Sequence, residues 1–288
     1  MIWLRWILVA AIATVPAGAS TYFPEQKVCP VGGEAFQFRS LGSITRWGAL
    51  PDGMPTGSGY FPVQPPQCPG NGLILYRDFT PAEVKALDLL VGGPDYKALR
   101  AAGETSYYLA YRTAKVLGDP GLPWLLLNAT WEAKNADPAS DRTRRYNAEF
   151  VALVAAMPAD GASFDSIALR ARAANALREL GRFDEAEALR AAIVVAPTAG
   201  GEGEQARENR EGWLAYLRLL AAPIARRDRD RAPIDMIGDR EAVFRCTDGE
   251  RAAEDNIDAP PLSAFEAAYC ARPELAEQIA ERRKMLRE

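Results

Sequence analysis

Four cysteines, Cys29, Cys68, Cys246 and Cys270, are the most reactive side chains in a chain of 288 residues that contains no histidine. The missing histidine removes Ser-His-Asp and Cys-His nucleophilic chemistry, histidine-ligated metals and any imidazole pH switch. Carboxylates, lysine, tyrosine and thiolate remain as catalytic bases. No Cys-x-x-Cys occurs, so thioredoxin-like redox chemistry lacks its motif. An even count of cysteines reads as two disulfides in an oxidising compartment. Four cysteines allow three pairings. Cys29–Cys68 with Cys246–Cys270 is favoured, because each pair falls within one compositionally distinct segment. The rival is a single zinc site in which all four thiolates converge.

Other side chains suggest chemistry less directly. Tyr107, Tyr108, Tyr111 and Trp131 could line a peptide groove, with Tyr107 and Tyr111 spaced to share a helical face and Tyr108 offset. Ordinary core and boundary packing explains the same aromatics, and Trp124 and Trp213 as well. Asp78, Glu104, Glu132 and Glu149 are candidates for a paired-carboxylate site acting on glycans. Their spacing matches no glycosidase signature, and caps or solvated helix faces account for them. Asp52-Gly53 and the Pro55–Gly59 loop could cradle an anion on backbone amides, but no Walker or GxGxxG pattern is present. Turn chemistry suffices there.

The compartment follows from the N-terminus. Arg5 precedes an apolar run from Trp6 to Val15, then Pro16 and Ala17-Gly18-Ala19, the pattern of a secretory leader cleaved before Ser20. The run is too short to span a bilayer comfortably, so no stable membrane insertion is expected after cleavage. The formal charge of −4 becomes −5 once Arg5 leaves with the leader, without the basic footprint of a nucleic-acid binder. The run Arg226-Arg227-Asp228-Arg229-Asp230-Arg231 reads as a solvated, salt-bridged helix end.

The elements that must position these groups divide the chain into a leader (1–19), a Gly/Pro-rich β head (20–79), a helical domain (80–197) and a helical extension (198–288). The expected fold class is α+β, mostly α. In the head, Ala35–Phe38 and Leu73–Tyr76 read as short strands, and Cys29-Pro30-Val31-Gly32-Gly33 and Cys68-Pro69-Gly70-Asn71-Gly72 as two similar knuckle turns. Thr80-Pro81-Ala82-Glu83 opens the helices with a capping box and a proline at the first helical position. Helices are expected to about Leu90, from Pro94 to near Gly103, and over about 104–117, 122–133, 141–157 and 205–222. A further short helix begins at Ser263 and a terminal one at Pro273. Residues 198–203 read as a flexible linker or exposed loop.

The stretch Ser163–Pro197 resembles a tetratricopeptide repeat. Ala174 permits close helix approach, Gly181 takes the turn, and Phe183 and Ala186 pack the second helix back on the first. Arg170 replaces the usual bulky residue, and residues 104–133 look like a degenerate relative. Over roughly residues 27–195 the chain also resembles the bacterial family catalogued as domain of unknown function 2225. The likeness rests on Cys29-Pro30-Val31 with Phe36, Cys68-Pro69 with Gly72, and Ala129-Thr130-Trp131. That family joins a Cys-Pro-x-Cys pair head to a TPR-like tail. The resemblance implies a degenerate zinc ribbon, since Gly32 and Asn71 stand where the family has the second cysteine of each pair. In an oxidising compartment the two remaining thiols could close as a disulfide.

Together these features lead to an exported, non-enzymatic module that binds a protein or peptide in the cell envelope, with no cofactor implied. The alternative is an envelope enzyme acting on glycan. A non-reducing peptide map of protein exported to a periplasm, with zinc measured on the same sample, tests the cysteines. Bonded Cys29–Cys68 and Cys246–Cys270 without zinc is expected; free thiols with stoichiometric zinc overturn the export argument.

Overall fold

The computed structural model describes residues 21–255 and 260–287. The expected leader lies outside the described residues. The N-terminal region is made of two hairpins. β1 (Thr21–Val28) pairs antiparallel with β2 (Ala35–Ser43), and β3 (Arg46–Ala49) pairs with β4 (Pro55–Gly57). The strand expected at Leu73–Tyr76 is reduced to a single bridge between Gln67 and Ile74. Leu73 and Ile74 are instead buried completely in the core, and that burial governs the path of the backbone there.

The two knuckles share one hydrogen-bond pattern. In the first, Cys29 N donates to Glu34 O and Gly33 N to Cys29 O; in the second, Cys68 N donates to Leu73 O and Gly72 N to Cys68 O. Cys29 and Cys68 lie at disulfide distance, Cα to Cα 5.7 Å. Two polar contacts reinforce the link: Asn71 Nδ2 donates to Val31 O (2.9 Å) and Gly70 N to Glu34 Oε2 (2.8 Å). Gly72 has φ +74°, a conformation cheap only for glycine. Tyr96 holds its carbonyl from the helical side (3.0 Å).

Eleven helices follow among the described residues. α1 (Pro81–Gly92) opens with the expected capping box, Thr80 and Glu83 each bonding the other's backbone N–H. α2 (Pro94–Ala101), α3 (Ser106–Leu117), α4 (Leu122–Ala136) and α5 (Asp141–Ala155) fall where the periodicity puts them. α6 (Phe164–Glu179) and α7 (Phe183–Ala192) form the repeat-like hairpin around Gly181, with Ala174 and Ala186 fully buried between them. Arg170, which replaces the repeat pattern's usual bulky residue, donates to Met157 O (2.7 Å) in the preceding loop. From α3 to α8 (Glu204–Ala225) each helix packs on the next, the order of a helical repeat.

Two expectations need correction here. α7 ends at Ala192 rather than near Pro197, because Ala196 N donates to Gly161 O and draws the chain out of the helix (2.9 Å). Of the two readings for residues 198–203, the exposed loop holds and the free linker does not: all but Ala199 are exposed, while Ala199 is fully buried and Arg210 donates to the carbonyls of Ala199 and Gly201.

A continuous core runs from the knuckles through α8, joining Cys29, Cys68 and Leu73 to Leu220 and Ile224. A second, small cluster consists of Ile234, Ala242, Val243, Cys246, Leu275 and Ile279. It joins α9 (Asp239–Asp255) to α11 (Pro273–Leu286), while Cys246 pairs with Cys270 at the end of α10 (Ala264–Cys270), Cα to Cα again 5.7 Å. No helix among the described residues is long and apolar enough to cross a membrane.

Gly72→Ala should destabilise the protein by about 1–3 kcal/mol, the usual scale for a strained backbone position. Its Cβ would also stand 2.2 Å from Arg100 Nε. Gly92→Ala, which meets nothing within 4 Å, should stay within about 0.5 kcal/mol. Urea unfolding of the two variants checks the contrast; equal midpoints would mean that the second knuckle is not docked on α2.

Candidate functional site

Residues 50–67 lie as a strap across one face of the helices, and side chains from four helices hold its backbone. Arg172 of α6 and Tyr216 of α8 both donate to Pro51 O, at 2.6 and 2.7 Å. Trp131 of α4 donates to Asp52 O (3.3 Å), Asn135 of α4 to Phe61 O (2.6 Å), and Tyr107 of α3 to Val63 O (2.7 Å). Farther along, Gln64 donates to Glu132 Oε1 (2.9 Å), and Glu132 Oε2 accepts the Tyr107 N–H (2.7 Å). Pro51, Asp52, Phe61 and Pro62 are buried by these contacts.

The strap's deepest anchor is ionic. A tight loop, closed by Leu50 N to Met54 O and Gly53 N to Leu50 O, aims Asp52 at the helices. Gly53 lies against Arg172, where a Cβ would stand 2.6 Å from Nε. Asp52 Oδ2 meets Lys134 Nζ at 2.9 Å, and Lys134 meets Glu179 at 2.7 Å; Asp52 and Lys134 are 1% and 2% exposed. Glu179 is held in turn by Asn175 (2.7 Å) and Asn147 (3.2 Å). The fully buried Arg178 donates to Asn175 Oδ1 and to Asp228 O. Burial alone would push the Asp52 carboxyl up, but Lys134 and Arg231 outweigh it and hold it below its usual value. Burial would lower Lys134, but Asp52 and Glu179 raise it. Arg231, expected on a solvated helix end, instead reaches inward: its Nε lies 4.0 Å from Asp52 and its Nη2 3.0 Å from Met54 Sδ. The requirement to neutralise a buried carboxylate accounts for that departure.

The aromatics singled out in the sequence separate into two pairs. Tyr107 and Trp131 face the strap. Tyr108 and Tyr111 turn to α5, where both hydroxyls donate to Glu149 (2.9 and 2.8 Å) and Tyr108 stacks on Tyr146 with centroids 4.3 Å apart. Burial pushes the Tyr107 phenol up to about 12. Trp213 packs edge-on to Tyr216, and the Arg172 guanidinium lies over both rings, 5.2 and 4.6 Å from their centroids. The four candidate carboxylates each have separate surroundings. Glu104 accepts from Arg145 (2.6 Å) and Tyr146, Glu149 accepts from two tyrosines, and Glu132 is raised by burial beside Tyr107 and Gln64. Asp78 lines an open groove of about 820 Å³ between the β1–β2 hairpin and the strap, together with Phe38, Leu41, Leu75 and Phe79.

Sequence reasoning missed Lys134, Glu179, Arg178 and the anchoring role of Asp52. A signal was present for Lys134, which follows Leu127 and Trp131 at helical spacing on an otherwise apolar stretch. A lysine on such a face needs a buried partner. Compared with family models, curated proteins and solved structures, the chain matches none.

Asp52→Asn should cost about 3 kcal/mol and Lys134→Met about 4–5, since each leaves buried charge uncompensated. Because the folded Asp52 carboxyl is held low, its contribution is present above the unfolded value of about 3.9 and is lost as pH falls through the folded value. Lys134 is held high, so its contribution is present below about 10.4 and is lost as pH rises through its folded value. Stability measured against pH should therefore have a flatter acid limb in Asp52→Asn and a flatter alkaline limb in Lys134→Met. Unchanged limbs would mean that the ions do not anchor the strap.

Proposed function

We propose that this chain is an exported, non-enzymatic protein of the cell envelope that engages a protein partner through an extended segment of that partner. The strap carries this reading. Five side-chain donors from α3, α4, α6 and α8 take four backbone carbonyls of the strap, two in its tight loop and two at Phe61 and Val63, so this helical face holds a polypeptide segment by its backbone. In this chain that face is satisfied internally. The partner surface is therefore assigned to the open groove on the other side of the strap, where Phe38, Leu41, Leu75 and Phe79 provide apolar area and Tyr22 and Phe23 stand exposed on the adjoining hairpin.

Export is supported by the two cysteine pairs at disulfide distance. The likeness to the domain of unknown function 2225 belongs to the same proposal. Asn71 stands where that family's second cysteine would be, and its amide ties one knuckle to the other, as a shared metal would. The glycan-cleaving alternative gains no support from the acids, since Glu104, Glu132 and Glu149 are all engaged by neighbouring donors.

A photo-crosslinking residue at Leu41, in the groove, and another at Val194, exposed elsewhere at 66%, test the reading in cells expressing the exported protein. A discrete, repeatable adduct from Leu41 and none from Val194 is expected. No Leu41 adduct across growth conditions, or equal smears from both sites, would sink it.

A further inference from the structure

A pocket of about 440 Å³ lies where the β3–β4 hairpin meets the strap, the end of α4 and the start of α9. Its volume is in the range of small-ligand sites, roughly 300–1,000 Å³. Trp47, Tyr60, Phe61 and Phe244 line it, together with the polar Asn135 and Glu241. Trp47 and Tyr60 are 39% and 54% exposed. Large aromatic surface left in water inside a concavity, beside a few polar groups, marks a binding face.

The polar atoms of these residues are only partly used. Trp47 Nε1 and the Tyr60 hydroxyl make no hydrogen bond among the described residues. Asn135 donates to Phe61 O through Nδ2, and Glu241 accepts from Thr56 through Oε1, which leaves Asn135 Oδ1 and Glu241 Oε2 as acceptors. Neither oxygen is among the buried unpartnered atoms, so both meet solvent. The pocket therefore offers donors and acceptors beside aromatic faces.

The rings already carry cations. Arg240 lies over Trp47, Arg46 over Phe61 and Arg282 over Phe244, at 4.2, 5.3 and 4.9 Å from the centroids. A cationic ligand would meet these guanidiniums rather than an empty aromatic cage. A hydrocarbon would leave the polar atoms unpaired. A proline-rich segment would accept from Trp47 and Tyr60 but lacks N–H groups for Asn135 and Glu241. A sugar ring meets both demands: its C–H face stacks on an aromatic, and each hydroxyl both donates and accepts.

We infer that this pocket binds a pyranose unit of an uncharged oligosaccharide, stacked on Trp47 and hydrogen-bonded by Glu241 and Asn135. The site recognises without cleaving, because Glu241 is the one carboxylate in the lining and glycan cleavage takes a pair. It shares no lining residue with the groove beside the β1–β2 hairpin, so it stands or falls independently of a protein partner there.

Heteronuclear NMR of the protein exported to a periplasm tests this through the indole N–H signals, the one lost in Trp47→Phe being that of Trp47. Chitotriose, cellotriose and maltotriose are titrated in turn, then choline and decaproline. A saturable shift of the Trp47 signal by at least one of the three sugars, with the other indoles unmoved, is expected. Which sugar binds reports the linkage and substituents that the pocket accepts. Tyr60→Ala removes a ring and a hydroxyl at an exposed position and should weaken that binding about tenfold. Glu241→Gln, which still leaves Thr56 an acceptor, should weaken it several-fold; if it loosens the hairpin, Tyr60→Ala keeps the test readable. No Trp47 shift from any of the sugars, a saturable response to choline or decaproline instead, or undiminished binding by Tyr60→Ala would overturn the assignment.

Discussion

Lys134 lies buried in the last turn of α4, and an ammonium there without counter-charge would cost several kcal/mol. The chain answers it from two directions. Glu179 arrives from the end of α6, and Asp52 from a loop 82 residues upstream. Much of the architecture follows from meeting that demand. Asp52 can reach Lys134 only if the strap crosses the helices, and once it does, Arg172, Tyr216, Trp131, Asn135 and Tyr107 find its carbonyls. A buried ion network of this kind adds little stability over a well-packed apolar cluster of the same volume. It does set register, since a slip of the strap by one residue would take Asp52 from Lys134 and leave the lysine with Glu179 alone.

The two ends of the molecule depend on cross-linking to different degrees. Cys29 and Cys68 lie inside the large core, with Tyr96 and Arg100 of α2 bonded to the second knuckle. Cys246 and Cys270 serve a cluster of only six buried residues. So small a core provides little burial to offset chain entropy, and a covalent clamp matters more there. The C-terminal helices also reach back to the head. Thr56 donates to Glu241 (2.7 Å), and the Arg240 guanidinium lies over the Trp47 ring, 4.2 Å from its centroid. The β3–β4 hairpin is thus held between the helical stack and the C-terminal cluster, with the Asp52 loop at its tip.

Helix limits were legible wherever a cap stated them. Thr80 with Glu83, Gly118 after α3, and Ser263 with Glu266 act within a few residues, and the helices begin and end beside them. Limits set by distant partners were not legible. α7 stops short because of Gly161, more than thirty residues earlier in the chain, and the Gly-rich segment at 198–203 is ordered by Arg210 and by a core that receives Ala199. The aromatic cluster was half legible: spacing placed Tyr107 and Tyr111 on related faces, but not that one would grip the strap and the other Glu149.

Composition and local pattern therefore determined the class of the protein: mostly helical, with a Gly/Pro-rich head, two cysteine pairs and no imidazole chemistry. These properties depend on residue type and on neighbours within about one helical turn or one tight turn, which a sequence states directly. Tertiary structure alone decided that the aromatic face is filled by the chain's own strap, and that Lys134 lies between two remote carboxylates. Those features are contacts between residues far apart in the chain. They are chosen by the need to neutralise and hydrogen-bond whatever folding buries, a need that exists only once the helices have packed.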